Sequence, residues 1–220
     1  MKKEEICARI KEIGIIPSIR VSLAEDARFA AKAISEGGIP ILEITLTVPG
    51  AISLISGLAQ SSPELIVGAG DVSDTETARH CLDAGATFLT SPTLDLEIVE
   101  FAVKENVVAL PGAMTPTEVK TAWKAGADFV KVFPCAQVGG ESYIRALRGP
   151  FPHIPLIASG GVNQKTAYHF ILSGATALGI GRDLVSQEAI HLRQAGRIVT
   201  LATRYLNYVK DARSQLIHPR

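Results

Sequence analysis

KAGADFVKVFP, residues 124–134, holds a helix end, a turn and a buried strand within eleven residues. Lys124 and Ala125 finish an amphipathic run, Gly126 supplies the left-handed residue on which helices commonly end, and Phe129–Phe133 is an apolar run of strand length. The same order recurs in SEGGIPILEIT at 35–45, DAGATFLTSP at 83–92 and LSGATALGIG at 172–181. Each copy sets a glycine ahead of a strand with little polar alternation. Strands of that kind are buried on both faces, the condition of a parallel sheet covered by helices.

Outward from these four copies the pattern extends to eight candidate strands: Ile15–Val21, Ile41–Leu46, Leu65–Val72, Phe88–Thr93, Val107–Met114, Phe129–Phe133, Pro155–Val162 and Ala177–Gly181. Amphipathic runs separate them, so the expected fold is α/β, a single-domain (β/α)8 barrel of the TIM type. Ser22…Glu25, Ser73…Glu76 and Thr115…Glu118 each offer a capping box, the last with Pro116 at the first helical position. A helix precedes the first strand, Ser186 to Arg213 reads as a closing helix, and Ser214–Arg220 as a loose tail.

Composition narrows the function classes. Lysine plus arginine and aspartate plus glutamate both total 22, which leaves no overall field to attract nucleic acid or an anionic membrane. Cys7, Cys81 and Cys135 match neither a disulfide framework nor a zinc site, and the five histidines form no ligand pattern. The opening MKKEEICARIKEIG is acidic and helically periodic where a signal peptide would be apolar, and no run reaches the length of a membrane span. The expectation is a cytoplasmic protein acting on a small molecule.

Active sites of such barrels lie at the C-terminal ends of the strands. The ionisable residues there are Arg20, Glu43, Asp71, Lys131 and Arg182, with Thr45, Thr47, Thr90, Ser91 and Ser159 as neutral donors. Lys131 sits inside an apolar strand, where burial disfavours the ammonium and suits an amine that attacks a carbonyl. A purely structural lysine paired with a barrel glutamate is the competing reading. Glu43, inside Ile41–Leu46, is the matching oddity and a proton carrier for such a lysine, or its ion-pair partner and nothing more. Gly160-Gly161, before a helix opened by Asn163, and Gly179-Ile-Gly181-Arg182 stand after the seventh and eighth strands, the usual phosphate position.

Taken together, LEITLTVPGA at 42–51, VGAG at 67–70, Ser91-Pro92, LPGAMTPTE at 110–118, VKVFP at 130–134, GPFP at 149–152 and SGGV at 159–162 closely resemble the 2-keto-3-deoxy-6-phosphogluconate and 4-hydroxy-2-oxoglutarate aldolase family. The resemblance runs from Ile15 to about Val185. It implies Lys131 as the Schiff-base lysine and Glu43 as general acid/base, in a homotrimeric enzyme that needs no metal or organic cofactor. Substrate contacts are expected from Thr45, Pro92, Phe133, Ser159, Gly160, Gly161 and Gly181, while Arg182 either strengthens phosphate binding or blocks the pocket. Some positions depart from the family pattern. Thr47 stands where one branch has a carboxylate-holding arginine, with Arg20 as the replacement; Asp71 follows VGAG where a threonine is usual; Arg182 replaces a small residue. Asp71 either faces the substrate and repels its carboxylate, or serves as a cap or a partner of Arg20. The reaction so implied is cleavage of a 2-keto-3-deoxy-6-phospho sugar acid to pyruvate and an aldehyde. A phosphate-binding barrel isomerase or synthase without a Schiff base, and a non-catalytic sugar-acid binder, are the alternatives.

Overall fold

The computed structural model describes residues 1–217. A first helix, α1 (Lys3–Ile13), is followed by repeating strand and helix: β1 (Ile15–Ile19), α2 (Ala24–Glu36), β2 (Ile41–Thr45), α3 (Ala51–Ser61), β3 (Ile66–Gly70), α4 (Thr75–Asp83), β4 (Phe88–Thr90) and α5 (Leu96–Lys104). Then come β5 (Val108–Leu110), β6 (Gly112–Ala113), α6 (Pro116–Lys124), β7 (Val130–Val132), α7 (Gly140–Arg148), β8 (Leu156–Ser159), α8 (Ala167–Leu172), β9 (Ala177–Ile180), α9 (Gln187–His191) and α10 (Ala195–Ile217). All strand pairs are parallel, in the order β5-β4-β3-β2-β1-β9-β8-β7-β6.

The expected (β/α)8 barrel is present, with nine strand segments in place of eight strands. The fifth strand, expected over Val107–Met114, is split at Pro111, which has no N–H to give to a ladder. Its halves bond to opposite neighbours, β5 to β4 and β6 to β7, and the Pro111 carbonyl accepts from Lys131 N at 2.9 Å. The two ends of the sheet are thus one stretch of chain, and the barrel closes through it. The other strands are mostly shorter than expected at one or both ends, because the outer residues turn into loops before the ladder begins or after it stops.

Gly38, Gly85, Gly126 and Gly174, the recurring glycines, have φ of 93°, 97°, 98° and 102°. Only one expected capping box forms. Thr115 Oγ1 accepts from Glu118 N while the Glu118 carboxylate accepts from Thr115 N. At α4 the cap is Asp74, not Ser73: its carboxylate accepts from Thr77 N at 2.6 Å, which holds its pKa below the ordinary carboxylate range. At α2 the N-cap position is Leu23, one residue after Ser22, and leucine has no side-chain oxygen to cap with; Glu25 pairs with Arg193 at 3.0 Å.

The expected single closing helix is two helices. The chain breaks between α9 and α10 at Arg193, with φ 51°, whose guanidinium grips Glu25 and Asp26 of α2. Ser214–Ile217, expected as tail, continue α10; residues 218–220 lie outside the described residues. Helix α1 packs against β5 and β9. Lys3 pairs with Asp128 at 3.0 Å, and Arg213 of α10 donates to the carbonyls of Glu12 and Lys11 at 2.6 Å each.

Candidate functional site

Lys131, centred in β7, is only 8% exposed although its side chain ends in an amine, and Glu43, centred in β2, is 3% exposed. Lys131 Nζ lies 3.6 Å from Glu43 Oε2. Thr90, at the end of β4, joins them: its hydroxyl donates to Glu43 Oε2 at 2.9 Å and accepts from Lys131 Nζ at 3.5 Å. Ser18, opposite Glu43 in the β1–β2 register, donates to the other carboxylate oxygen at 2.7 Å. The barrel thus holds a carboxylate bonded on both oxygens next to an amine, in surroundings where an unpaired charge would be costly.

Backbone space for Glu43 comes from the next strand. A Cβ at Gly70 would lie 2.5 Å from Glu43 Oε1, so only glycine lets the carboxylate stand there. Lys131 Nζ also lies 5.8 Å from the centroid of the Phe133 ring, within range of a cation–π contact. Pro92 packs its carbonyl against Gly112, where a Cβ would approach it to 2.2 Å.

Above this pair, the ends of β1, β2 and β3 gather a polar rim. Thr45 Oγ1 donates to Ile19 O at 3.1 Å and lies 2.8 Å from Thr47 Oγ1. Arg20 donates from Nη1 to Thr47 at 3.1 Å and from Nη2 to Asp71. Of the two alternatives for Asp71, the structure has the pairing with Arg20. Its backbone is left-handed, φ 58°, a conformation that aspartate adopts more readily than most residues.

After β8 and β9, Gly160 and Gly161 have φ of 85° and 84°, and Asn163 Oδ1 accepts from Lys165 N and Thr166 N at 2.9 and 3.2 Å. Among the described residues, the N–H groups of Gly160 and Gly161 donate to no protein acceptor. Ser159 is buried against Gly179, where a Cβ would come within 2.7 Å of its hydroxyl. Arg182 follows Gly181, is exposed, and lines a cleft with Arg197 and Arg204. Ser91 turns away, donating to Thr93 O at 2.6 Å.

The sequence reading thus named Lys131 and Glu43 and listed Thr90 as a strand-end donor, but it missed Ser18. The available signal was Ser18 as the lone polar residue of the apolar Ile15–Ile19 strand. No group of three or more metal-ligating side chains occurs among the described residues, and no helix there is long and apolar enough to cross a membrane.

A family model described as KDPG and KHG aldolase matches residues 6–201. The chain is 35% identical over 164 residues to a 2-dehydro-3-deoxy-phosphogluconate aldolase of Pseudomonas aeruginosa, covering 73% of this chain and 74% of the relative. It is 32% identical over 189 residues to a KHG/KDPG aldolase of Escherichia coli K12, covering 86% and 88%. Among solved structures, a KDPG aldolase of Legionella pneumophila, with pyruvate captured at low pH as a covalent carbinolamine, superposes with a TM-score of 0.83 at 30% identity, over 90% of this chain and 96% of that one.

Proposed function

Because this chain belongs to the KDPG and KHG aldolase family, we propose that it is a class I aldolase that splits a 2-keto-3-deoxy-6-phospho sugar acid into pyruvate and an aldehyde through an imine on Lys131. The observation that carries this reading is the buried amine of Lys131 within 3.6 Å of a carboxylate whose two oxygens are already held by hydroxyls. The proton that must leave the nitrogen has an acceptor at hand in Glu43.

In the proposed reaction Lys131 Nζ attacks the C2 ketone, and loss of water gives the iminium. Glu43 removes the proton of the C4 hydroxyl, directly or through one water. The C3–C4 bond then breaks, its electron pair passing into the iminium to give an enamine and a free aldehyde. Protonation at C3 and hydrolysis of the imine return the lysine and release pyruvate. Arg20, Thr45 and Thr47 hold the carboxylate end. Ser159, Gly160, Gly161, Gly181 and Arg182 receive the distal phosphate, with Pro92 and Phe133 as walls and Asp71 as the partner that restrains Arg20.

The same family membership supports reading the chain as one aldolase domain working as a homotrimer in the cytoplasm, without metal or organic cofactor. Borohydride added with pyruvate tests the mechanism: one reduced pyruvate equivalent is expected on Lys131 by peptide mass, and none in Lys131→Ala, which also loses pyruvate release while keeping its circular dichroism. An unlabelled wild-type lysine would leave the isomerase or synthase reading in place.

A further inference from the structure

We propose that Ser18 is a positioning residue that divides the work of the Glu43 carboxylate, holding Oε1 as a standing acceptor so that Oε2 alone takes and returns the proton. This role rests on the aldolase reading of Lys131 and Glu43. Ser18 stands opposite Glu43 in the β1–β2 register, and its hydroxyl donates to Oε1 at 2.7 Å. Among the described residues that hydroxyl makes no other hydrogen bond.

The oxygens of Glu43 stand in unlike surroundings. Oε2 lies 3.6 Å from Lys131 Nζ and accepts from Thr90 at 2.9 Å. Oε1 lies between the Ser18 hydroxyl and Gly70, where a Cβ would approach it to 2.5 Å. A carboxyl group protonated on Oε2 keeps Oε1 as its carbonyl oxygen, and the bond from Ser18 survives. A proton on Oε1 would meet either the Ser18 hydrogen or the wall at Gly70. Ser18 would then have to turn its hydrogen away from its partner in a strand whose other residues, Ile15, Ile16, Pro17 and Ile19, offer no side-chain acceptor. A part-buried hydroxyl without an acceptor is costly. Thr90 is under no such constraint. Its oxygen already accepts from Lys131 Nζ at 3.5 Å, and its hydrogen can turn to that nitrogen once the amine has lost its proton. The bond from Ser18 also fixes the last torsion of Glu43, which is broad when nothing restrains it.

Pyruvate alone tests this in the whole protein, because its imine presents C3 to the same proton carrier. Glu43 Oε2 takes a proton from C3 of the iminium, the C–H electron pair forms the C2–C3 double bond, and the C2–N pair returns to nitrogen. In heavy water the reverse step delivers deuterium to the methyl group, which proton NMR follows as an exchange rate. Borohydride reduction, read by peptide mass, gives the final extent of imine on Lys131. In Ser18→Ala exchange is expected to slow by about tenfold, the worth of a hydrogen bond to a charged group, while the half-saturating pyruvate concentration moves less than about twofold. Trapping is expected to reach the wild-type extent. Ser18→Thr keeps the hydroxyl and suits a strand, so it is expected to restore most of the exchange. Unchanged exchange in Ser18→Ala would overturn the proposal. So would a loss of trapping in step with exchange, since the serine would then merely support the strand. Absence of an adduct in the wild type would overturn the aldolase reading and this role together, whereas an adduct with unchanged exchange in Ser18→Ala would overturn this role alone.

Discussion

At the scale of single residues, the arrangement around Glu43 makes two distinguishable demands. As proton carrier in the proposed reaction it must ionise and reprotonate, so Glu43→Gln is expected to lower kcat by about two to four orders of magnitude. Thr90→Val removes the hydroxyl between Glu43 and Lys131 while keeping the shape; it is expected to lower kcat with little change in KM, and steady-state kinetics check both. Asp71 belongs to the rim. Asp71→Asn removes the charge that holds Arg20 but tolerates the φ of 58°, so it is expected to lower KM for the keto acid; an unchanged KM would mean that Arg20 does not grip the carboxylate. Asp71→Thr, the change towards the family pattern, puts a β-branched residue into a left-handed backbone and is expected to cost about 1–3 kcal/mol in denaturant unfolding. Lys131 and Glu43 were legible in the sequence because a charge inside an apolar strand is an exception that needs a reason. Ser18 and the bonding of Thr90 were not, because small hydroxyls on strands are common and only the register of β1, β2 and β4 brings them to the carboxylate.

At the scale of elements, strand identity was legible from apolar runs, and helix ends from glycine. Competition between neighbouring groups was not. Ser73 loses the cap of α4 to Asp74 because an ionised acceptor makes the stronger bond to a backbone N–H. Ser22 fails at α2 because the helix begins one residue later than its capping box requires, which puts Leu23 at the N-cap and leaves Glu25 to pair with Arg193. The same arginine breaks the closing helix, which periodicity alone joins into one. Helix α10 also carries a weakness: the Tyr205 hydroxyl is fully buried with no hydrogen-bond partner among the described residues, and burial pushes its pKa up. Tyr205→Phe removes the unpaired group and keeps the ring, so it is expected to raise stability by about 1 kcal/mol, read as a higher Tm. A lower Tm would mean that the hydroxyl is satisfied by solvent.

For the whole molecule, the cysteines set an alkaline limit. Burial raises Cys81 from 9.0 to about 11 and Cys135 from 9.0 to about 12. Both thiols therefore keep their protons in the fold at a pH where the unfolded chain loses them. Their contribution is complete below pH 9 and falls as pH rises from 9 through 11 to 12. Tm is expected to drop over that window, and less steeply in Cys135→Ala than in the wild type; identical slopes would contradict this. Native-state alkylation at neutral pH is expected to be slow, because the thiolate is the reactive form.

Arg213 gives the molecule a particular order of assembly. The residue that ties down the end of the first helix sits near the end of the last. A nascent chain leaving the ribosome can therefore hold α1 through β5 and the Lys3–Asp128 pair before the last turn of α1 is capped, and β1 keeps a free edge until β9 has been made. Such late, sequence-distant closure is slow and leaves strand edges open in the meantime. During that interval this chain most needs protection from pairing with its own copies.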